Sequence, residues 1–308
     1  MGNVVGLVKA QDSQEEIKRS IFEVLDLIGF KPRNSVKSVV IKPNLCYYWD
    51  AGTGYTTDPR MVAGIIDFIR ERIGENIEIK VVEADASAMR TKHAFPILGY
   101  DELAKEKNVE LLNLSQEVQL NKTVKVNRRE LQFKVPMILL NSDLFINVPK
   151  LKIMQETRIT CAMKNVFGCI GAPRKVVYHP VLNEAIVGIN TILRPHLTLV
   201  DGLVGLGRFA RKLGLIMACV DSFSVDWVAS QIMGHNPSRV RFLKLAMKEN
   251  LGNPRGISTV GASVSDFAMV FPREGLVSFK YLWGVIFGLL RTYKKIVGDV
   301  VPPVLDEI

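Results

Sequence analysis

The feature that most constrains this chain is the regular exchange between short apolar runs and amphipathic stretches. VKSVVIK (36–42), IEIKVVEA (77–84), LFINV (144–148), LTLVDG (197–202) and LIMACVD (215–221) are rich in β-branched residues and mostly do not alternate with polar ones. Such runs suit strands covered on both faces. Between them QEEIKRSIFEVLDLIG, DPRMVAGIIDFIRERIG, NEAIVGINTIL, SVDWVASQIMG and NPSRVRFLKLAMKENLG place apolar residues three and four apart, and several close on glycine. Glycine supplies the left-handed residue that ends a helix. The order predicts an α/β fold with a largely parallel, helix-covered sheet. One segment departs from it: VQLNKTVKVNRRELQFKV (118–135) alternates around NRRE and predicts a β-hairpin excursion.

Residues 1–272 are expected to form the α/β domain, and 273–308 an apolar and basic helical extension. Within the extension, YLWGVIFGLL (281–290) lies between Lys280 and Arg291. A run of that length does not span a bilayer. It suits a helix packed on the core or on a second copy of the chain, or, through 276–296, on a membrane surface.

The net charge of +9 and a pI near 9.3 favour anionic partners. The basic clusters lack the interleaved aromatics of a base-stacking platform, so nucleic acid is not the expected partner. None of Cys46, Cys161, Cys169 and Cys219 falls in a C-x-x-C pair, which argues against an iron–sulfur cluster within this chain. The opening MGNVVGLVKAQDSQEE turns acidic before any long apolar run, so a cytoplasmic location with free thiols is expected.

In open α/β sheets ligands bind beyond the carboxyl ends of the strands. Here those ends lead into Lys42-Pro43-Asn44, Pro149-Lys150-Leu151-Lys152, Asp201-Gly202 and Asp221. A lysine ending a buried strand needs an anion beside its ammonium, either a ligand or a protein carboxylate such as Glu83 or Asp85. Thr57 and Asp58 precede Pro59 and read first as a helix cap. Asp221 and Asp226 admit the same reading, with metal binding as the alternative. Gly202, Gly205 and Gly207 form G-x-x-G-x-G, which is not the dinucleotide fingerprint.

Taken together, IKPNL (41–45), TTDP (56–59), NVPKLK (147–152), T-x-x-x-KN-x-FG (Thr160 to Gly168), His179, VDG (200–202) and the pair Asp221 and Asp226 before Met233-Gly234 resemble the domain of unknown function 362 family over roughly residues 36–262. The resemblance implies a cytoplasmic prokaryotic protein. Some members carry a fused ferredoxin-type domain, absent from this sequence, which points toward redox chemistry. After VDG the sequence LVGLGRFARKLG replaces the expected glycine- and proline-rich loop and adds Arg208, Arg211 and Lys212.

Three functions follow as expectations. The first is an enzyme acting on a small phosphate- or carboxylate-bearing molecule. Lys42, Asn44, Thr57, Asn147, Lys150, Asn165 and Gly168 would bind it, Lys164 and His179 would be catalytic, and Asp201 with Asp221 would hold Mg2+. The second is a flavin-carrying redox protein that works with a separate ferredoxin, using Cys161 or Cys169. Those two cysteines, eight apart, read first as small buried apolar groups. The third is a nonenzymatic binder of an anionic membrane or nucleic-acid surface.

Overall fold

The computed structural model describes residues 3–87 and 89–273 of the 308-residue chain. The expected C-terminal extension, apart from Arg273, lies outside the described residues. In chain order the strands are β1 (Val4–Lys9), β2 (Ser38–Pro43), β3 (Glu78–Glu83), β4 (Glu110–Asn113), β5 (Gln119–Val126), β6 (Arg129–Pro136), β7 (Leu144–Val148), β8 (Lys150–Met154), β9 (Arg158–Thr160), β10 (Leu197–Leu206), β11 (Ala210–Cys219) and β12 (Ser258–Gly261). The helices are α1 (Gln14–Leu27), α2 (Pro59–Ile73), α3 (Thr91–Ile97), α4 (Tyr100–Glu106), α5 (Met137–Asn141), α6 (Ala162–Phe167), α7 (Leu182–Ile192), α8 (Ser222–Ile232), α9 (Arg241–Lys248) and α10 (Val264–Ala268).

The main sheet runs β12-β1-β11-β10-β7-β2-β3-β4, with β8 and β9 added beyond β10. Strands β10, β7, β2, β3 and β4 are mutually parallel, and β11 runs antiparallel to both β10 and β1. A mixed α/β fold with a mostly parallel sheet is thus what the sequence folds into. The two faces bury separate apolar cores, one including α1 and α2, the other including α6 to α9. Ile17, Ile21, Val24 and Leu25 form the buried stripe of α1, whose N-terminus is capped by Ser13. Helix α1 crosses α2 closely at Gly64, where a Cβ would stand 2.7 Å from Ile21 Cδ1.

The hairpin expected at 118–135 is present as β5–β6, a separate two-stranded sheet. Its two-residue turn, Asn127-Arg128, has φ of +48° and +66°. Positive φ at both positions matches the right-handed twist of the strands that the turn joins. Phe133 and Val135 point inward and are buried, and Phe133 packs against Gly188 of α7.

Two expectations about the sheet are corrected. The segment LVGLGRFARKLG is not a loop: it continues β10 to Leu206, turns at residues 207–209 and returns as β11. Its glycines serve tight strand packing, since a Cβ on Gly202 or Gly205 would press on Leu215 or Leu213. Because β11 is antiparallel, its end at Cys219 lies beside Thr198, at the start of β10. Asp221 therefore does not belong with the strand ends that hold Lys42 and Lys150.

Helix α6 carries several of the residues of interest, and it is held from outside itself. The backbone N–H groups of Ala162 and Met163 donate to the Asp226 carboxylate of α8, at 2.7 and 2.9 Å. Asp226 thus caps a neighbouring helix rather than its own. It is fully buried, and burial pushes its pKa up to about 7. A raised folded-state pKa means that the group's stabilising contribution is complete in acid and is lost as pH rises through about 7. Asp226→Asn is expected to cost about 2–3 kcal/mol in chemical denaturation at pH 5, by leaving a buried donor facing a donor. The same variant should lack the fall in stability that wild type shows between pH 5 and 8.

Candidate functional site at the strand ends

From β2 the chain moves through α2 to β3 and on to β4, on one side; from β7 it moves to β10, on the other. The strand order reverses between β2 and β7, and at such a reversal the connecting segments leave a crevice beyond the strand ends. Lys42 pairs in register with Asn147 there, and Pro43 with Val148.

These ends are crowded with polar groups, most of which satisfy one another; Asn44 Oδ1 is buried with no hydrogen-bond partner among the described residues. Lys42, 1% exposed, donates to Glu83 Oε2 at 2.7 Å and to the Pro43 carbonyl at 2.6 Å. The same Glu83 oxygen accepts from Leu45 N, and the other accepts from Ala84 N. Asn165 Nδ2 donates to Asn147 Oδ1 at 2.8 Å, and Asn147 Nδ2 donates to the Ala162 carbonyl at 3.0 Å. Thr57 Oγ1 donates to the Val148 carbonyl and accepts from Asn44 N, while Tyr100 donates to the Thr57 carbonyl. Gly168 lies against Lys42, where a Cβ would come 3.6 Å from its Nζ.

A second buried pair lies beside this network. Lys150 Nζ is 2.9 Å from Asp201 Oδ1, with the two side chains 1% and 0% exposed. Asp201 also accepts from Leu203 N and, through Oδ2, from Asp58 N at the start of α2. Asp58 in turn caps α2 through Arg60 N.

Of the residues proposed from sequence, Lys42, Asn44, Thr57, Asn147, Asn165 and Gly168 come together, and Lys150 adjoins them through Asp201 and Asp58. The lysines Lys42 and Lys150 are, however, neutralised by protein carboxylates. The proposed Mg2+ pair is not assembled. Asp201 is occupied by Lys150 and two backbone N–H groups, whereas Asp221 caps α8 through Ser224 N and accepts from Asn3. Among the described residues no group of three or more His, Cys, Asp or Glu is placed to hold a metal ion.

The unbalanced charge lies one layer farther out. Lys152, 3% exposed, has no carboxylate partner among the described residues and donates to the Tyr55 carbonyl at 3.0 Å. Its pKa is lowered to about 8, chiefly by burial, with the nearby ammonium groups of Lys164 and Lys150 acting in the same direction. Lys164, partly buried on α6, makes no ion pair or side-chain hydrogen bond among the described residues, and burial lowers its pKa as well. Glu156 and Cys46 lie within electrostatic reach of it.

A connected run of contacts lies near these two lysines. Trp49 packs edge-on against Tyr55 with ring centroids 4.2 Å apart, and Tyr47 lies 5.2 Å from Trp49. The Tyr48 hydroxyl accepts from Arg90 N, Arg90 approaches Asp85 at 3.8 Å, and the Asp85 carbonyl accepts from Lys175 Nζ at 2.6 Å. Lys175 begins the short helical turn 175–181 that holds His179, whose Nδ1 is 3.3 Å from Glu156 Oε1. Glu156 sits in the turn between β8 and β9, and β8 leads back to Lys152 and Tyr55. His179 and Lys164 thus share one carboxylate environment, Glu156. The His179 side chain is 45% exposed, so it lies at the surface and not in the interior.

Sequence reasoning missed Lys152 as a ligand candidate although the NVPKLK motif contains it. It also missed Glu156 and the aromatic run CYYW (46–49), whose signal is its place directly after a strand-end motif. The cysteines were rightly read as apolar. Cys161 and Cys169 are fully buried, and burial drives both thiols upward, Cys169 to about 12. Neither is poised as a thiolate. A separate cleft of about 540 Å3 borders Lys150, Asp12, Asp58, Arg60 and Lys212. Its charges cancel internally, because Arg60 grips Asp58 and Asp12, and Lys212 grips Asp12.

Comparison with known proteins places this arrangement. The sequence profile of the family described as Domain of unknown function (DUF362) matches residues 39–231. A thylakoid-associated protein of Synechocystis is 26% identical over 299 residues, covering 90% of this chain and 87% of its own. A Thermotoga maritima protein solved by a structural genomics consortium aligns with a TM-score of 0.38 and 14% identity, covering 63% of this chain and 52% of its own. The lactate racemase apoprotein from Thermoanaerobacterium thermosaccharolyticum aligns with the same TM-score and 13% identity, over 64% and 50%. This chain thus spans about half the length of those two solved structures.

The buried pair beneath the site yields a test of its structural role. Removing one partner of a buried ion pair strands the other, so Lys42→Met should cost about 3–5 kcal/mol in chemical denaturation. The double variant Lys42→Met/Glu83→Gln should recover part of that loss, since the amide oxygen still accepts from one of the backbone N–H groups of Leu45 and Ala84. A double variant no more stable than the single one would show that Lys42 acts through something other than Glu83.

Proposed function

The chain belongs to the DUF362 family, and from that premise we propose that it is an enzyme acting on a small molecule bearing a phosphate or carboxylate, bound at the strand ends beyond β2 and β7. One observation carries the reading: Lys152 and Lys164 have no carboxylate contact among the described residues, whereas Lys42 and Lys150 beneath them do. An ammonium taken out of water without a partner is costly, and a bound anion removes that cost. Lys152 and Lys164 are the anion ligands in this scheme. The His179–Glu156 pair, at 3.3 Å, supplies the proton-transfer group, with the carboxylate orienting the imidazole. The asparagine network of Asn147 and Asn165 fixes α6 against β7 and so sets the position of Lys164.

Binding of inorganic phosphate or pyrophosphate, followed by titration calorimetry, tests this. Lys164→Met should weaken binding at least about tenfold, the loss expected for one charge-assisted contact. Wild-type affinity should fall as pH rises through about 8, where Lys152 loses its proton. Affinity that stays flat from pH 7 to 9 and ignores Lys164→Met would defeat the proposal.

A second reading concerns location. The cyanobacterial relative carries the name thylakoid-associated, and no described helix is long and apolar enough to cross a membrane. We infer a protein of the cytoplasmic side that reaches an anionic membrane surface through residues 276–296. The full chain should then float with vesicles containing anionic lipid at low salt, and the form lacking residues 276–308 should not. Equal flotation of both forms, or of neither, would remove this reading.

A further inference from the structure

The aromatic residues near Lys152 form a cluster at the surface. Tyr47 and Trp49 are 46% and 45% exposed, yet they pack on each other and on Tyr55 in one connected cluster. The Tyr55 ring also lies 5.7 Å from Lys152 Nζ. Tyr47 has a φ of +54°, a left-handed conformation that is costly for a bulky residue. Such strain persists only where the surroundings impose it, and it gathers at ligand clamps. Here it sets a half-exposed aromatic side chain within electrostatic reach of Cys46 and Glu156.

An aromatic cluster whose Tyr55 ring lies beside Lys152, an ammonium with no carboxylate contact among the described residues, matches one kind of ligand. The lysines take an anionic group, and the exposed ring faces take a flat, conjugated body, because offset or edge-on aromatic contacts add to what area burial alone gives. Short aliphatic acids would leave those faces wet. We propose that the ligand is a planar aromatic anion, its phosphate or carboxylate held by Lys152 and Lys164 and its ring stacked on Trp49 with Tyr47 alongside. This rests on the anion site proposed above and narrows its substrate class.

The test compares phenyl phosphate with methyl phosphate on the full chain, two probes that share a charged group and differ in the ring. Phenyl phosphate should bind about tenfold more tightly, the increment of one good stacking contact. It should also quench tryptophan fluorescence. Trp49→Ala should abolish the difference while leaving methyl phosphate within about twofold of wild type, and Trp49→Phe should restore most of it, since a ring is kept. Because Trp49 is nearly half exposed, loss of fold is not the expected outcome of either substitution. Equal affinity for the two probes, with both weakened by Lys164→Met, would overturn the ring-stacking inference and leave the anion site standing. If Lys164→Met weakened neither probe, or neither bound at all, both readings would fall together.

Discussion

The Lys42–Glu83 ion pair is the contact on which the arrangement of the strand ends depends. It joins adjacent strands β2 and β3 at their last residues, with both side chains almost wholly out of water. A bare pair in that position would be a poor bargain in free energy, since desolvation of two ions rivals their attraction. What makes it tenable is the set of further donors and acceptors. Glu83 also takes the N–H groups of Leu45 and Ala84, and Lys42 also reaches the Pro43 carbonyl. Those added bonds fix where the chain goes after β2. Leu45 is pinned to Glu83 and Asn44 to Thr57, so the segment between them must loop outward, carrying Tyr47, Tyr48, Trp49 and Tyr55 with it.

The Lys150–Asp201 pair does the equivalent work on the other side of the reversal. Its carboxylate accepts from the start of α2, and its lysine opens β8, the strand that later supplies Lys152. Both pairs are therefore parts of the frame. They place α2, α6 and β8, and with them the outer layer of side chains.

How much of this was legible in the sequence follows from the range of the interactions involved. Strands β2, β3, β7 and β10 were readable because burial on both faces writes itself as a continuous apolar run. β4 and β12 were not, since four residues carry too short a pattern, and β8 was hidden because its lysines are buried by tertiary contacts that composition does not announce. The direction of β11 was equally out of reach: LIMACVD reads as a buried strand whichever way it runs, and direction decided that Asp221 leaves the site. In the site itself the motif residues could be named, but their division of labour could not. Whether a strand-end lysine meets a carboxylate depends on which residue a neighbouring strand places opposite it. Glu83 was available to Lys42 by position, whereas Asp201, expected as a metal ligand, is the partner of Lys150.

That division separates frame from site. Lys42 and Lys150 are almost fully buried and paired; Lys152 is almost fully buried and, among the described residues, meets the Tyr55 carbonyl and ring but no carboxylate. A lysine whose folded-state pKa is about 8, against an ordinary value near 10.5, holds its proton at neutral pH at a cost of up to about 3 kcal/mol relative to the unfolded chain. Because the folded pKa is the lower one, the penalty is absent in strong alkali and appears as pH falls through about 8. A carboxylate in the sequence would have removed it, as it does at the two frame lysines. Under the proposed function, leaving it in place, with Lys164 close enough to add to it, keeps a free energy of this size available to a bound anion. On that reading the stability forgone at Lys152 reappears as affinity for a ligand that brings a negative charge to that depth.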